Sequence, residues 1–124
     1  MLTYEVGQKM LRNTLQALRW ISDQDYQKRV WIQGEGANDF DETICYFFDN
    51  CDVVLKYSKL CGITENQYNT LEIIKHSLEE FSTHHHYEPE FIDTPEWDEI
   101  TKMAKEVLQA FHYESDKSED VTQS

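Results

Sequence analysis

The chain has 124 residues, a length that fits a single domain. Its net charge of −13 argues against direct binding to nucleic acid or to an anionic membrane surface. No apolar run approaches about 18 residues and residues 1–13 do not resemble a secretory leader, so we expect a cytoplasmic protein. Three cysteines without a C-x-x-C pair are expected to be small buried hydrophobes in a reducing compartment: Cys45, Cys51 and Cys61.

With only four glycines and two prolines, the pattern predicts an all-α domain of about five helices over residues 1–112. The first helix, from Tyr4 to about Ile21, has an apolar stripe made of Met10, Leu11, Thr14, Leu15, Leu18 and Ile21. A second, shorter helix begins at Asp23 and runs to about Gln33, with acidic residues in its first turn, where the helix dipole favours them. Its residues at helical spacing are Tyr26, Arg29, Val30 and Gln33.

The third helix is predicted from Phe40 to about Cys51, after a glycine-containing stretch, with Asp39 as its N-cap. At 100° per residue, one face collects the apolar residues Phe40, Ile44, Phe47, Phe48 and Cys51. The opposite arc of roughly 140° collects Asp41, Glu42, Tyr46 and Asp49. The segment from Asp52 to Ser58 remains open between a loop, a short helix and an extended piece.

Two further helices carry clear start signals. Thr64 and Gln67 match a capping box at the start of a helix from Glu65 to about Ser82, just after Gly62, which is typical of a C′ position. Its stripe is Tyr68, Leu71, Ile74, Leu78 and Phe81. After a polar loop (83–93), Thr94 and Pro95 begin a last helix that runs to about Phe111 and packs Trp97, Ile100, Ala104, Val107, Leu108 and Phe111. Residues 113–124 are expected to form a disordered acidic tail.

The acidity is concentrated. Residues 1–29 carry a net +2, so the other 95 carry −15, and no Lys or Arg lies between Val30 and Leu55. Acidic side chains lie there among aromatic ones, which is typical of a docking surface for a basic partner. The residues predicted to bind that partner are Glu35, Asp39, Asp41, Glu42, Tyr46, Asp49 and Asp52. The alternative is that the charge only keeps a small protein soluble.

Motifs for chemistry are weak. Three consecutive imidazoles, His84 to His86, cannot easily converge on one ion, and the acids from Asp39 to Glu42 do not fit a calcium-binding loop. No nucleophile elbow, P-loop, dinucleotide fingerprint or H-E-x-x-H motif is present. We therefore expect no enzyme activity, no cofactor and no metal site. Trp20, Trp31 and Trp97 are expected in the core, although Trp31 could instead brace the adjoining glycine-containing loop.

A scattered signature covers roughly residues 8–110. It consists of Asp25-Tyr26-Gln27-x-x-Val30-Trp31-Ile32-x-Gly34, Phe40-Asp41-Glu42, Phe47-Phe48-Asp49, Leu60-x-Gly62-Ile63 and Pro95-x-Trp97. This signature resembles small acidic helical immunity proteins of bacterial contact-dependent growth inhibition and related polymorphic toxin systems. The resemblance implies a helical fold, cytoplasmic residence and neutralisation of a toxin's C-terminal domain by direct binding. Asp41 and Asp49 match the signature, but such positions can equally be structural.

Many toxins of those systems are nucleases, acting on RNA, tRNA or DNA, with basic clefts that hold phosphates. An acidic helix face could occupy such a cleft, because carboxylates accept charge-assisted hydrogen bonds from Lys and Arg. The leading hypothesis is thus an immunity protein that inhibits a nuclease toxin by occupancy. The alternative is an acidic helical adaptor or regulator that binds another basic protein, and a toxin-like reading frame beside the gene would distinguish the two.

Overall fold

The computed structural model describes residues 3–34, 39–84 and 92–113. Within these ranges the chain forms six α-helices and one π-helical segment, with no strand. The helices are α1 (Tyr4–Ile21), α2 (Gln24–Tyr26), α3 (Phe40–Lys56), α4 (Ser58–Cys61), α5 (Glu65–His84) and α6 (Pro95–Ala110). The predicted all-α bundle is confirmed. Within these residues, no helix is both long and apolar enough to cross a membrane.

The helix starts follow from local side-chain chemistry. Asp39 accepts a hydrogen bond of 2.9 Å from the backbone N–H three residues ahead, and Thr94 accepts the equivalent bond at 3.2 Å. Thr64 and Gln67 each accept a bond from the other's backbone N–H, at 3.1 and 2.8 Å, so the predicted capping box is present. Each of these side chains satisfies a backbone donor that the helix itself leaves without a partner.

The core lies between four long helices. α3 packs against α1 and α5, and α6 packs against α1 and α5. Most of the predicted stripes are fully buried, and the core is formed by Leu15, Leu18, Ile21, Phe40, Ile44, Phe47, Cys51, Leu71, Ile74, Leu78, Phe81, Trp97, Ile100, Ala104, Val107 and Leu108. Thr14 of the first stripe is also fully buried. Four other predicted members, Met10, Leu11, Phe48 and Phe111, are half-buried against the core, and Tyr68 is half-buried.

The region left open in the sequence is helical. α3 continues past Cys51 to Lys56, because Val54 extends the same buried face by one more turn. The short α4 follows and ends at Gly62, whose φ of +76° is the left-handed conformation expected of a glycine after a helix. The predicted polar loop starts too early, since α5 includes residues 83 and 84, and Ile92 is buried. The predicted tail also starts too early, because Tyr113 packs against the core and its backbone N–H donates a 2.9 Å hydrogen bond to the Leu108 carbonyl. Residues 85–91 of the loop and 114–124 of the tail lie outside the described residues.

The second predicted helix is only partly α-helical. α2 passes directly into a π-helical segment, Gln27–Ile32, whose buried side chains are Gln27 and Val30. Of the four residues noted at helical spacing, Arg29 and Gln33 are exposed. The wider π turn accompanies a buried glutamine that the apolar pattern could not reveal.

Candidate functional site

The predicted binding residues that the structure describes lie on the outer face of α3. Asp41, Glu42, Tyr46, Asp49 and Asp52 are all exposed along this helix, and Asp39 is exposed at its N-terminus. We call this set, together with Cys45, the α3 outer face. Glu35, the remaining predicted binding residue, lies outside the described residues. The helix therefore brings six of the seven predicted residues onto one surface.

Three of these acids have a structural role at the start of α3. Asp39 is the N-cap, while Asp41 and Glu42 lie in the first turn. Carboxylates there interact favourably with the positive end of the helix dipole. Their presence is thus explained in part by helix stability, and they are weaker indications of binding than an acid farther along the helix.

Asp52 is engaged within the protein. Its carboxylate lies 3.1 Å from the Lys75 ammonium of α5, which is also 3.7 Å from Glu79. The hydrogen bond to Asp52 raises the pKa of Lys75, so the lysine stays charged. The sequence between positions 30 and 55 contains no basic residue, so it could not predict this ion pair, whose cation comes from another helix. Asp52 marks the boundary between the α3 outer face and α5.

Glu42, Tyr46 and Asp49 form the most open part of the face. They are spaced four and three residues apart, so their side chains lie on adjacent turns of one side of α3. Over the described ranges, neither Glu42 nor Asp49 forms an ion pair with a basic side chain. Asp49 lies in the middle of α3 and is neither cap nor first-turn acid. Helix stability gives no reason for a carboxylate at this position.

Cys45 corrects a prediction. Cys51 and Cys61 are buried as expected, but Cys45 is exposed. It stands four residues from both Asp41 and Asp49, so it belongs to the acidic arc rather than to the core face. Desolvation and then the nearby carboxylates of Asp41, Asp49 and Asp39 raise the pKa of its thiol. The negative charge of the α3 outer face thus contributes to the raised pKa of this thiol, which makes Cys45 a poor nucleophile at neutral pH.

Aromatic rings flank this part of the face on the α1 side. Trp20 stacks on Tyr26 with ring centroids 5.8 Å apart and an interplanar angle of 8°, and its ring centroid lies 6.1 Å from that of Tyr46. Trp20 is half-buried and does not belong to the core, so its predicted place there is wrong. No sequence pattern predicted this cluster, since its rings come from three separate elements.

The other two tryptophans belong to the core and its edge. Trp97 is fully buried, as predicted. Trp31 is half-buried, and its ring centroid lies 5.7 Å from that of Phe40 and 6.1 Å from that of Trp97. Trp31 therefore packs against the core from the end of the π-helical segment.

The described residues form no enclosed small-molecule or metal site comparable in definition to the α3 outer face. An open groove of about 650 Å³ between the C-terminal end of α1 and α6 is lined by opposite charges, including Arg19, Asp23, Asp25 and Lys105. Among the described residues, no three His, Cys, Asp or Glu side chains lie close enough together to hold a metal ion. His85 and His86 of the histidine string lie outside the described residues.

A scan against protein-family models finds no match, and searches of curated proteins and of solved structures find none either.

Proposed function

We propose that this protein is an immunity protein, which binds the C-terminal toxin domain of a contact-dependent growth inhibition system and blocks it by occupying a basic surface. The observation that carries the proposal is the exposed pair Glu42 and Asp49 on the outer face of α3, of which Asp49 has no role in helix stability. The signature residues quoted above add the resemblance to this class of inhibitor.

A nuclease toxin fits this surface on chemical grounds. Its active-site cleft must present Lys and Arg where substrate phosphates lie, and carboxylates can accept hydrogen bonds from the same groups. A helix rises about 1.5 Å per residue, so Glu42 and Asp49 are about 10 Å apart along the axis of α3. Two carboxylates at this separation can engage two separate cationic groups of a cleft. Inhibition then requires occupancy and no chemistry by the inhibitor.

Electrostatics support fast association as well as contact. The net charge of −13 attracts a basic toxin domain over a distance set by the ionic strength. A fast encounter matters for an inhibitor that must reach the toxin before its substrate does. Charged side chains at the solvent-exposed edge of the interface would affect mainly the association rate, while side chains buried at its centre would determine the dissociation rate.

The test is co-purification of the full chain with the product of the neighbouring toxin-like reading frame, followed by titration of affinity. Replacing Glu42 and Asp49 with Ala should weaken binding by about 2 kcal/mol or more, or roughly 30-fold, since truncated interfacial charges commonly cost that much. Circular dichroism should remain unchanged.

A matched control is available on α6. Glu99 and Glu106 are also exposed, also seven residues apart, and their replacement with Ala removes the same two charges. This control pair should alter affinity by less than about 0.5 kcal/mol, because distant charges contribute only to the screened long-range field. Equal losses for the two pairs would refute the α3 outer face as the contact surface, and no binding to the neighbouring product would refute the proposed function.

A further inference from the structure

Three aromatic rings from three elements meet beside the open part of the α3 outer face. Trp20 lies in the last turn of α1, Tyr26 is the last residue of α2 and Tyr46 lies in the middle of α3. Trp20 and Tyr26 are parallel within 8° at 5.8 Å, and Tyr46 is tilted by 40° to Trp20 at 6.1 Å. We call these three rings the aromatic platform. Its members are half-buried, half-buried and 37 % exposed, respectively, so part of the platform faces solvent.

The platform differs from the aromatic cluster inside the protein. Phe40, Phe81 and Trp97 also make close ring contacts, but all three are buried and serve packing. The platform instead combines exposed ring surface with carboxylates on both sides of Tyr46. Glu42 lies one turn before Tyr46 and Asp49 lies just under one turn after it, on the same side of α3.

This combination of groups selects a cation. The face of an aromatic ring is negative and attracts an ammonium or guanidinium group within about 6 Å of its centroid. The protein already contains one such contact, because Lys56 Nζ lies 5.5 Å from the ring centroid of Tyr57. An apolar partner side chain would fit poorly here, since it would remove water from two carboxylates without offering them a hydrogen bond.

We propose that the aromatic platform is the docking point for an arginine side chain of a protein partner, with the guanidinium against the ring of Tyr46 and one of the flanking carboxylates, Glu42 or Asp49, accepting its hydrogen bonds. Arginine fits better than lysine because a guanidinium is planar, stacks on a ring and donates two parallel hydrogen bonds to one carboxylate. This inference deepens the proposed function and rests on it for the identity of the partner, while the recognition chemistry can be measured without any partner.

The experiment uses N-acetyl-arginine amide as the probe and the full ¹⁵N-labelled chain as the target. Titration into the millimolar range should shift the indole N–H signal of Trp20 and the backbone signals of Glu42, Tyr46 and Asp49. The indole signal of Trp97 is an internal reference, because that N–H is buried and bonded to Gln27. N-acetyl-citrulline amide, which has nearly the same shape without the charge, should cause no comparable shift, and N-acetyl-lysine amide a smaller one.

Matched variants locate the site. Tyr46→Leu keeps an apolar side chain but removes the ring, and it should weaken arginine binding about 2- to 30-fold, the range expected for cation–π contacts from exposed to desolvated. Tyr46→Phe should retain binding. Tyr57→Leu removes a tyrosine of similar exposure at the end of α3 and should have no effect.

Three results would overturn the inference. These are equal shifts with citrulline, unchanged shifts in Tyr46→Leu, and shifts that are spread over the surface rather than centred on Trp20. These results can be distinguished from a failure of the proposed function. If the chain binds the arginine probe but not the neighbouring toxin, the platform stands and the immunity role is refuted. If it binds the toxin but gives no response to the probe, only the platform is refuted.

Discussion

The indole N–H of Trp97 donates a 2.8 Å hydrogen bond to the side-chain carbonyl of Gln27, and both residues are fully buried. The amide nitrogen of Gln27 donates in turn to the backbone carbonyls of Trp20 and Ile21, at 2.9 and 2.8 Å. These carbonyls belong to the last turn of α1, where the helix itself provides no partner, although the Trp20 carbonyl also accepts a 3.3 Å bond from the Asp23 backbone N–H. One side chain thus ties α1, the π-helical segment and α6 together.

We predict that Gln27→Met destabilises the protein by about 2–4 kcal/mol. Methionine has a similar volume but removes the buried partner of the Trp97 indole N–H and of the Ile21 carbonyl, while the Trp20 carbonyl keeps a 3.3 Å hydrogen bond from the Asp23 backbone N–H. Urea denaturation measures the free energy of unfolding. Gln24→Met is the control, because the amide of Gln24 also makes two hydrogen bonds but lies nearer the surface, and its loss should cost less than about 1 kcal/mol.

A double-mutant cycle with Trp97→Phe isolates the pair. Phenylalanine removes the donor, so part of the penalty of Gln27→Met is already present in that background. The free energies of unfolding lost in the two single variants should therefore sum to more than the loss in the double variant. Strict additivity would show that the two side chains contribute independently.

Asp39 offers a way to separate helix stability from partner binding. Asp39→Ala should lower the free energy of unfolding by about 1 kcal/mol, because it removes the N-cap of α3. Asp39→Asn should keep most of that stability, since asparagine caps about as well, while removing one charge from the α3 outer face. Denaturation and partner titration of both variants distinguish the roles. If the Asn variant lost as much stability as the Ala variant, charge rather than capping would be the cause.

The buried thiol of Cys51 predicts a pH dependence of stability. Burial, and secondarily Asp52, raise its pKa from 9.0 to about 12 in the folded protein. A group with a raised folded pKa contributes stability that is present below the unfolded pKa and is lost as pH rises toward the folded value. From pH 8 to pH 10 the unfolded thiol ionises while the folded thiol does not, so this residue should reduce the free energy of unfolding by about 1.4 kcal/mol.

Comparing variants reveals that contribution. In Cys51→Ala, the decline between pH 8 and pH 10 should be about 1.4 kcal/mol smaller than in the unmodified chain, measured by urea denaturation with a reductant present. Cys45→Ala should change the decline less, because its thiol is exposed. An identical decline in all three proteins would mean that Cys51 ionises equally in both states.

The sequence predicted what depends on local chemistry. The caps Asp39, Thr64 and Thr94 act within three residues of themselves, and the apolar stripes follow helical periodicity, so both could be derived without knowledge of the packing. Contacts between helices could not. The pairing of Asp52 with Lys75 and the meeting of Trp20 with Tyr46 depend on how the helices pack. The exposure of Cys45 was predictable, because the angular argument that placed Asp41 and Asp49 outward applies equally to the residue between them.

The thiol of Cys45 provides a direct probe of the α3 outer face. Iodoacetamide should modify Cys45 in the folded protein and leave Cys51 and Cys61 intact, since only Cys45 is exposed. The reaction should be slow at pH 7, because desolvation and the neighbouring carboxylates raise the pKa of this thiol. Replacing Asp41 and Asp49 with Asn should accelerate it, but only by about two- to fivefold, since desolvation remains the larger cause. A bound partner on this face should suppress the reaction, which mass spectrometry measures at each cysteine. Undiminished modification in the complex would place the partner on another surface, even if affinity for it were high.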